Sequence, residues 1–314
     1  MIKIYKTDLE TEKTAKADTI KKGSWIDMCA PSEKEIETVC SKLDIDESFI
    51  RYALDYEEKA RIDKDDDDGT ILYIIDTPTI DKDKNSTIYS TMPLGVIFVR
   101  DDYIVTVSIK ENSLIEKIKK IKDLYTYKKS RILLQILYIN AQLFLGSLKK
   151  INKETESTEN ILKNSMKNKE VLHMLDLEKS LVYITTSLKS NELVMEKTMR
   201  GKVIKLYEED EDILEDAIIE NKQAIEMSQI YSNILETIME AYASIISNNL
   251  NRVMKELTSI TIIIAIPTLI ASFWGMNVPV PFQNSSFGFV ITLIFSILLG
   301  VIATLWLKKT RMLN

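Results

Sequence analysis

Seven positions fall on one face of a potential helix, alternating three and four residues apart: Asn251, Met254, Thr258, Thr261, Ala265, Thr268 and Ser272. All are small, polar or flexible, while Ile260, Ile262, Ile263, Ile264, Ile266, Leu269 and Ile270 fill the other faces. Hydroxyl and amide oxygens in such a row are weak, uncharged acceptors. They could guide a cation that keeps its water. The same spacing also suits close helix–helix packing, where small residues and hydroxyls are common. Two helices cannot enclose a channel, so a pore would need several copies of the chain with these faces turned inward.

Just beyond the row stand Gly275, Met276 and Asn277. Mg2+ gives up its octahedral water shell reluctantly, so neutral oxygens spaced for the outside of that shell would select the hydrated ion. In an oligomer Asn277 would offer a ring of amide carbonyls. Gly275 would allow a sharp backbone turn, and Met276 would pack behind it.

The surroundings of these residues are those of a membrane. From Leu257 to Leu307 there is no Asp, Glu, Lys or Arg, where a soluble chain with 28% charged residues would carry about fourteen. Leu257–Trp274 and Phe287–Leu307 are 18 and 21 residues long, near the roughly 20 that cross a hydrocarbon core. A short uncharged loop joins them. Arg252 and Lys255 precede the first span, and Lys308, Lys309 and Arg311 follow the second, which places both termini in the cytoplasm. A hairpin lying flat on the surface is the alternative, and its total apolarity opposes it. MIKIYKTDLETEK at the start has no apolar run of a signal peptide. A cell (inner) membrane protein with multiple passes is the expectation.

Residues 1–256 hold all 47 acids and 38 of the 41 bases, a net of −9. Such a domain repels nucleic acid and suits cationic partners. Two cysteines, Cys29 and Cys40, and one histidine, His173, cannot build a disulfide framework or a zinc site. There is no phosphate loop and no nucleophile constellation, so enzymatic activity and an organic cofactor are not expected.

The expected fold class is an α/β N-terminal cytoplasmic domain, a long-helix stalk and two C-terminal transmembrane helices, predominantly α overall. Strand patterns occur at Ile2–Tyr5, Gly23–Met28, Ile71–Asp76, Thr87–Met92, Leu94–Val99 and Tyr103–Ile109. Helical spacing covers Ser32–Leu43, with Glu35 placed for a capping box, and Glu47–Leu54. Asp65, Asp66, Asp67 and Asp68 before Gly69 read as a solvated turn. These elements make residues 1–125 one domain.

Stripes such as Ile132, Ile136, Leu133, Leu137, Phe144 and Leu148 then predict an antiparallel helical pair over 126–200. The chain reverses at Lys163–Lys169, and Gly201 caps the second helix. Residues 202–266 contain neither Gly nor Pro. A helix from about Glu209 to Trp274 would be roughly 100 Å long. Its cytoplasmic part is 201–256 and its membrane part 257–274. The outer loop 275–286, the second span 287–307 and the basic tail 308–314 complete the chain.

A Gly-Met-Asn closing the first of two C-terminal spans, behind a long acidic region, resembles the CorA family of magnesium channels and transporters. The likeness covers essentially the whole chain and is tightest over 248–277. It implies a homopentamer in membrane lipid, with Gly275, Met276 and Asn277 as the selectivity filter. Below them Asn251, Met254, Thr261, Ala265, Thr268 and Ser272 would line the pore, with Leu257 as the alternative to Thr258 after Met254. It also implies regulatory Mg2+ between cytoplasmic domains, Mg2+ being both substrate and ligand. Asp216, in the acidic run that opens the long helix, is the stalk candidate. Partners for it could be Asp65, Asp66, Asp67, Asp68, Glu57 or Glu58. Solvated charge at a helix start is the plainer reading of that run.

Three positions depart from the family pattern. Trp274 replaces a tyrosine, Ala265 stands where some relatives carry a bulky apolar gate, and Val278–Ser286 lacks acidic residues. Divalent cation transport, Mg2+ foremost, inward and driven by membrane potential, is the expected function. A Zn2+ or Co2+/Ni2+ transporter of the same architecture is the alternative, and a membrane-anchored scaffold or sensor is another.

Overall fold

The computed structural model describes all residues except 66, 83–86, 165–167, 202, 283–284 and 313–314. The N-terminal unit, Met1–Ile238, is built on a seven-stranded sheet. Its strands are β1 (Ile2–Thr7), β2 (Thr14–Ala17), β3 (Trp25–Cys29), β4 (Arg61–Lys64), β5 (Ile71–Lys82), β6 (Thr87–Val99) and β7 (Tyr103–Ser108). They lie in the order β2-β1-β3-β7-β6-β5-β4, and β3 with β7 is the parallel pair.

Both faces of the sheet are covered. Leu72 and Ile74 of β5 pack with Ile36, Val39 and Leu43 of α1 (Glu33–Leu43) and Phe49 and Ile50 of α2 (Ser48–Tyr52). The alternate residues Tyr73 and Ile75 meet the opposite layer: α3 (Ser113–Ile118), α4 (Lys129–Asn164), and Val194 and Met195 of α5 (Asn168–Met199). This is the period-two rule of a strand buried on both sides. Ser32 opens α1 with its N–H donating to the Glu35 carboxylate at 2.8 Å.

Three features escaped the strand and helix patterns. Edge strands β2 and β4 are four residues each, Thr-Ala-Lys-Ala and Arg-Ile-Asp-Lys, too short to carry a hydrophobic alternation. The short α3 is started by Asn112, whose side chain accepts from the Leu114 N–H at 2.9 Å. The third is the fusion of two expected strands into β6 across Pro93. Pairing with β7 covers only Leu94–Val99, so at Pro93 the strand has β5 alone beside it. A missing N–H is tolerated there. The reversal expected at Lys163–Lys169 falls partly outside the described residues, between the end of α4 at Asn164 and the start of α5 at Asn168.

The helix α6 runs unbroken from Glu208 to Trp274, with Pro267 inside it, and α7 spans Gly288–Lys309. Leu214 and Ala217 of α6 belong to the core of the N-terminal unit. The C-terminal unit, Met239–Asn314, holds the rest of α6 and all of α7. By length and composition α4, α6 and α7 could each cross a membrane. Burial separates them. The apolar window of α4 is 56% buried, with Leu133, Ile136, Leu137 and Phe144 fully inside the core, whereas those of α6 and α7 are 11% buried.

Candidate functional site

The hairpin of α6 and α7 decides what the residue row of α6 is free to do. Along its apolar stretch α6 shields Ser259, Ile262, Ile263, Ile266 and Ile270. On α7 the shielded positions are mainly small: Thr292, Ser296, Gly300, Ala303 and Thr304, with Leu307 below them. Small residues on one helix let branched side chains of the other come close. At the base of the hairpin the Ser259 hydroxyl donates to the Met312 carbonyl at 3.1 Å. Packing within the chain therefore uses the isoleucine face of α6 and the small face of α7.

The other row stays open. Asn251, Met254, Thr258, Thr261, Ala265, Thr268 and Ser272 are all exposed in the single chain. At about 100° per residue their mean direction lies well over a quarter-turn from the shielded face. Leu257 is exposed too, at 57%, so both it and Thr258 remain on the open side. The Thr261 hydroxyl donates to the Leu257 carbonyl and the Thr268 hydroxyl to the Ile264 carbonyl, each at 2.9 Å. Each hydrogen is spent on the helix itself. What the two threonines present outward is oxygen lone pairs, the right polarity for the water shell of a cation.

Beyond Trp274 the backbone leaves the helix gradually. The Gly275 N–H still donates to the Ala271 carbonyl at 3.0 Å, and that of Met276 to Phe273 at 3.4 Å. Gly275 does not adopt a left-handed conformation. The chain turns at Gly275 and bends through Met276, Asn277 and Val278 without a left-handed residue; a Cβ at Gly275 would meet the Ala271 carbonyl at 3.4 Å. Close approach occurs instead at Gly288, where a Cβ would come within 2.7 Å of the Phe282 carbonyl. Met276 is 51% exposed in the single chain. Asn277 is exposed as well. The Trp274 indole N–H is buried, with no hydrogen-bond partner among the described residues.

At the other end of the row, Arg252, Lys255 and Arg311, with the single carboxylate Glu256, share a cavity of about 540 Å3 with Asn251, Met254 and Thr258. The hairpin thus gathers cationic charge where the apolar stretch begins.

The acidic residues are not assembled within one chain. Among the described residues no group of three or more His, Cys, Asp or Glu side chains is placed to hold a metal ion. Asp216 is exposed. Asp65 and Asp68 serve their own turn: the Asp67 N–H donates to the Asp65 carboxylate at 2.9 Å, and the Thr70 N–H to that of Asp68 at 2.7 Å. Asp67 is exposed, and Asp66 lies outside the described residues. His173 faces Glu154 at 3.6 Å, and both cysteines are free thiols.

A family model described as CorA-like Mg2+ transporter protein matches residues 21–309. The chain belongs to that family. A relative, the cobalt/magnesium transport protein CorA of Methanocaldococcus jannaschii, is 28% identical over 275 residues, 84% of this chain and 83% of the relative. Among solved structures, the complete CorA magnesium transporter of that organism superposes with a TM-score of 0.81 at 24% identity, over 99% of this chain and 96% of that one. The full-length CmaX protein gives 0.69 at 12% identity over 96% of each chain. The cytoplasmic domain of ZntB from Vibrio parahaemolyticus gives 0.59 at 11% over 78% of this chain and 98% of its own. At these identities the structural likenesses establish the fold. Family membership makes the chain a membrane protein that transports divalent cations.

Proposed function

We propose that this chain forms a homopentameric pore that admits Mg2+, and Co2+ less selectively, into the cytoplasm. The open row of α6 turns toward the shared axis. Asn251, Met254, Leu257, Thr261, Ala265, Thr268 and Ser272 line the path, and Gly275, Met276 and Asn277 form the filter at its outer mouth. The observation that carries this reading is the division of labour on α6. Its isoleucine face is spent on the hairpin, and its polar row is left without a partner in the chain. A row of acceptor oxygens facing lipid would be costly. Facing copies of itself around water, it is satisfied.

Both termini lie in the cytoplasm in this reading, with the loop 275–286 outside. The driving force needs no chemical coupling. A divalent ion crossing 100 mV gains about 4.6 kcal/mol, twice the value for one charge. That corresponds to roughly a thousandfold accumulation. Regulation comes from the acidic N-terminal region. Several copies of a −9 domain around one axis repel each other, and bound Mg2+ relieves that repulsion, with Asp216 as one ligand at the subunit interface. Loss of internal Mg2+ then shifts the population toward open states.

Uptake into liposomes containing the purified protein, with Mg2+, Co2+, Ni2+ and Zn2+ compared under an inside-negative potential, is the test. Mg2+ should enter without ATP. Zn2+ uptake with Mg2+ excluded, or no metal uptake at all, would refute the reading.

A further inference from the structure

Within the N-terminal unit a cavity of about 860 Å3 lies where α4 and α6 begin. Its size falls in the range of small-molecule sites. Four cationic side chains line it: Lys128, Lys129, Arg131 and Lys205. Among the described residues none of them reaches a carboxylate within hydrogen-bond distance. Lys129 Nζ is 3.6 Å from Asp101, and Arg131 is 3.7 Å from Glu209 and 3.8 Å from Asp210. Lys128 and Lys205 lie over the rings of Tyr125 and Tyr207. Some cations elsewhere in the unit are closely paired, as Lys119 is at 2.9 Å from Asp27, Lys22 at 2.7 Å from Asp102 and Arg100 at 2.6 Å from Asp44, while Arg200 and Lys222 pair at 3.6 and 4.0 Å.

The shortfall is sharpest at Lys129. Its side chain is 12% exposed, and its nearest carboxylate, that of Asp101, is fully in solvent. Burial pushes the Lys129 pKa down despite that aspartate. Lys129 is thus held by one long ion pair to an exposed carboxylate, and a ligand anion would add the close contact that a nearly buried ammonium favours. Asp210 shows the converse. Only 5% exposed, it accepts no hydrogen bond among the described residues, and burial pushes its pKa up against the pull of Arg131. Both signs of charge thus face one cavity in loose ion pairs of 3.6 to 3.8 Å, which side chains this long can open to admit a ligand.

Two further features define what would fit. Tyr127 and Tyr207 stand on the wall with 41% and 55% of their surface exposed, Tyr127 stacked on Tyr125 and Tyr207 under the Lys205 ammonium. The first turn of α4 lies on the same wall, and a helix N-terminus adds positive partial charge beside the lysines.

We propose that this cavity binds the Mg2+ chelate of a nucleoside polyphosphate. Lys128, Lys129, Arg131 and Lys205 take the phosphate oxygens, a tyrosine ring stacks on the base, and Asp210 with Glu209 faces the water shell of the chelated ion. A simple anion would leave the carboxylates repelled, and free Mg2+ would leave the lysines unmatched. The chelate satisfies both. Binding alone is inferred, without hydrolysis. The site would let the N-terminal unit sense the complexed pool of Mg2+ separately from the free ion.

The test is calorimetric titration of the full-length protein in detergent with Mg-ATP, Mg-triphosphate, metal-free ATP in EDTA, and MgCl2 alone as the blank. Mg-ATP should bind with a Kd below about 1 mM. Mg-triphosphate should bind about tenfold more weakly for want of a base to stack. The exposed pair Lys128→Glu with Lys205→Glu should weaken Mg-ATP at least about tenfold while the melting temperature holds. Tyr207→Ala should bring ATP toward the triphosphate value. No heat beyond the MgCl2 blank, equal binding of triphosphate and ATP, tighter binding of metal-free ATP, or full binding by the charge-reversed pair would each overturn the proposal. No transport is measured, so this result can fail while the pore reading stands.

Discussion

Ser259 and Thr261 sit two residues apart on α6 and face opposite ways. Ser259 is fully buried and its hydroxyl holds the Met312 carbonyl at 3.1 Å, while Thr261 is exposed and its hydroxyl turns back to its own helix at Leu257, 2.9 Å away. One serves the hairpin and the other is left for whatever meets the open face. A helix with two polar faces of different function needs both to be tested separately.

Ser259→Ala should loosen the hairpin by about 1 kcal/mol, the usual scale of a polar contact between membrane helices. The assembled protein should melt a few degrees lower, with uptake per folded protein nearly unchanged. Thr261→Val keeps the shape but removes the oxygen, so melting should hold while Mg2+ flux falls about threefold or more. A Thr261→Val protein that melts early and conducts normally would make the open row a packing seam.

Asn277 carries the filter assignment. Asn277→Ala removes the amide acceptor and should abolish selective uptake while the oligomer persists. Asn277→Asp keeps the shape and adds one negative charge per subunit. Conduction needs binding weak enough for the ion to leave. Mg2+ should therefore bind the Asp variant more tightly and pass more slowly. Wild-type flux in both variants would make Asn277 an ordinary loop residue.

Asp216 is exposed on α6 and takes part in no metal cluster among the described residues, so the proposed sensing role is placed at the interface between copies. Asp216→Lys should make uptake less sensitive to Mg2+ on the cytoplasmic side, read as a rise in the concentration that halves flux. Unchanged inhibition would exclude this residue as a ligand.

Much of this was readable from residue types, because the strongest signals are long. Fifty-one residues without charge, the Ile132–Leu148 stripes and Gly-Met-Asn each stand out against the rest of the chain. Short edge elements such as β2 and β4 were not, since four residues of mixed character gain their strand geometry mainly from the neighbouring strand. The faces of α6 were only half readable. Buried Ser259 is polar and exposed Leu257 is apolar, so burial there follows the position of α7 rather than hydrophobicity. The 860 Å3 cavity was invisible in sequence, because its cations come from segments more than seventy residues apart. Its only trace was the acidic run at Glu208, which reads equally well as helix capping.

Asp76 gives a pH prediction whose sign is fixed by its surroundings. Its backbone is held on both sides: the Asp76 N–H donates to Asn191 Oδ1 at 2.9 Å, and its carbonyl accepts from Asn191 Nδ2 at 2.8 Å and Asn140 Nδ2 at 2.7 Å. The carboxyl is carried into the sheet–helix interface with them. Burial pushes its pKa up to about 6 from 3.8, with the Ser187 hydroxyl only partly opposing. A raised acid holds its proton more tightly folded than unfolded. Its contribution to stability is therefore fully present below about pH 4, falls as pH rises through 6, and is lost above that. The difference at pH 7 is about 3 kcal/mol. Asp76→Asn, which mimics the protonated form, should melt several degrees above wild type at pH 7.5, and the gap should close toward pH 5. A gap that stays constant between pH 5 and 8 would show that Asp76 is ionised in the folded protein without penalty.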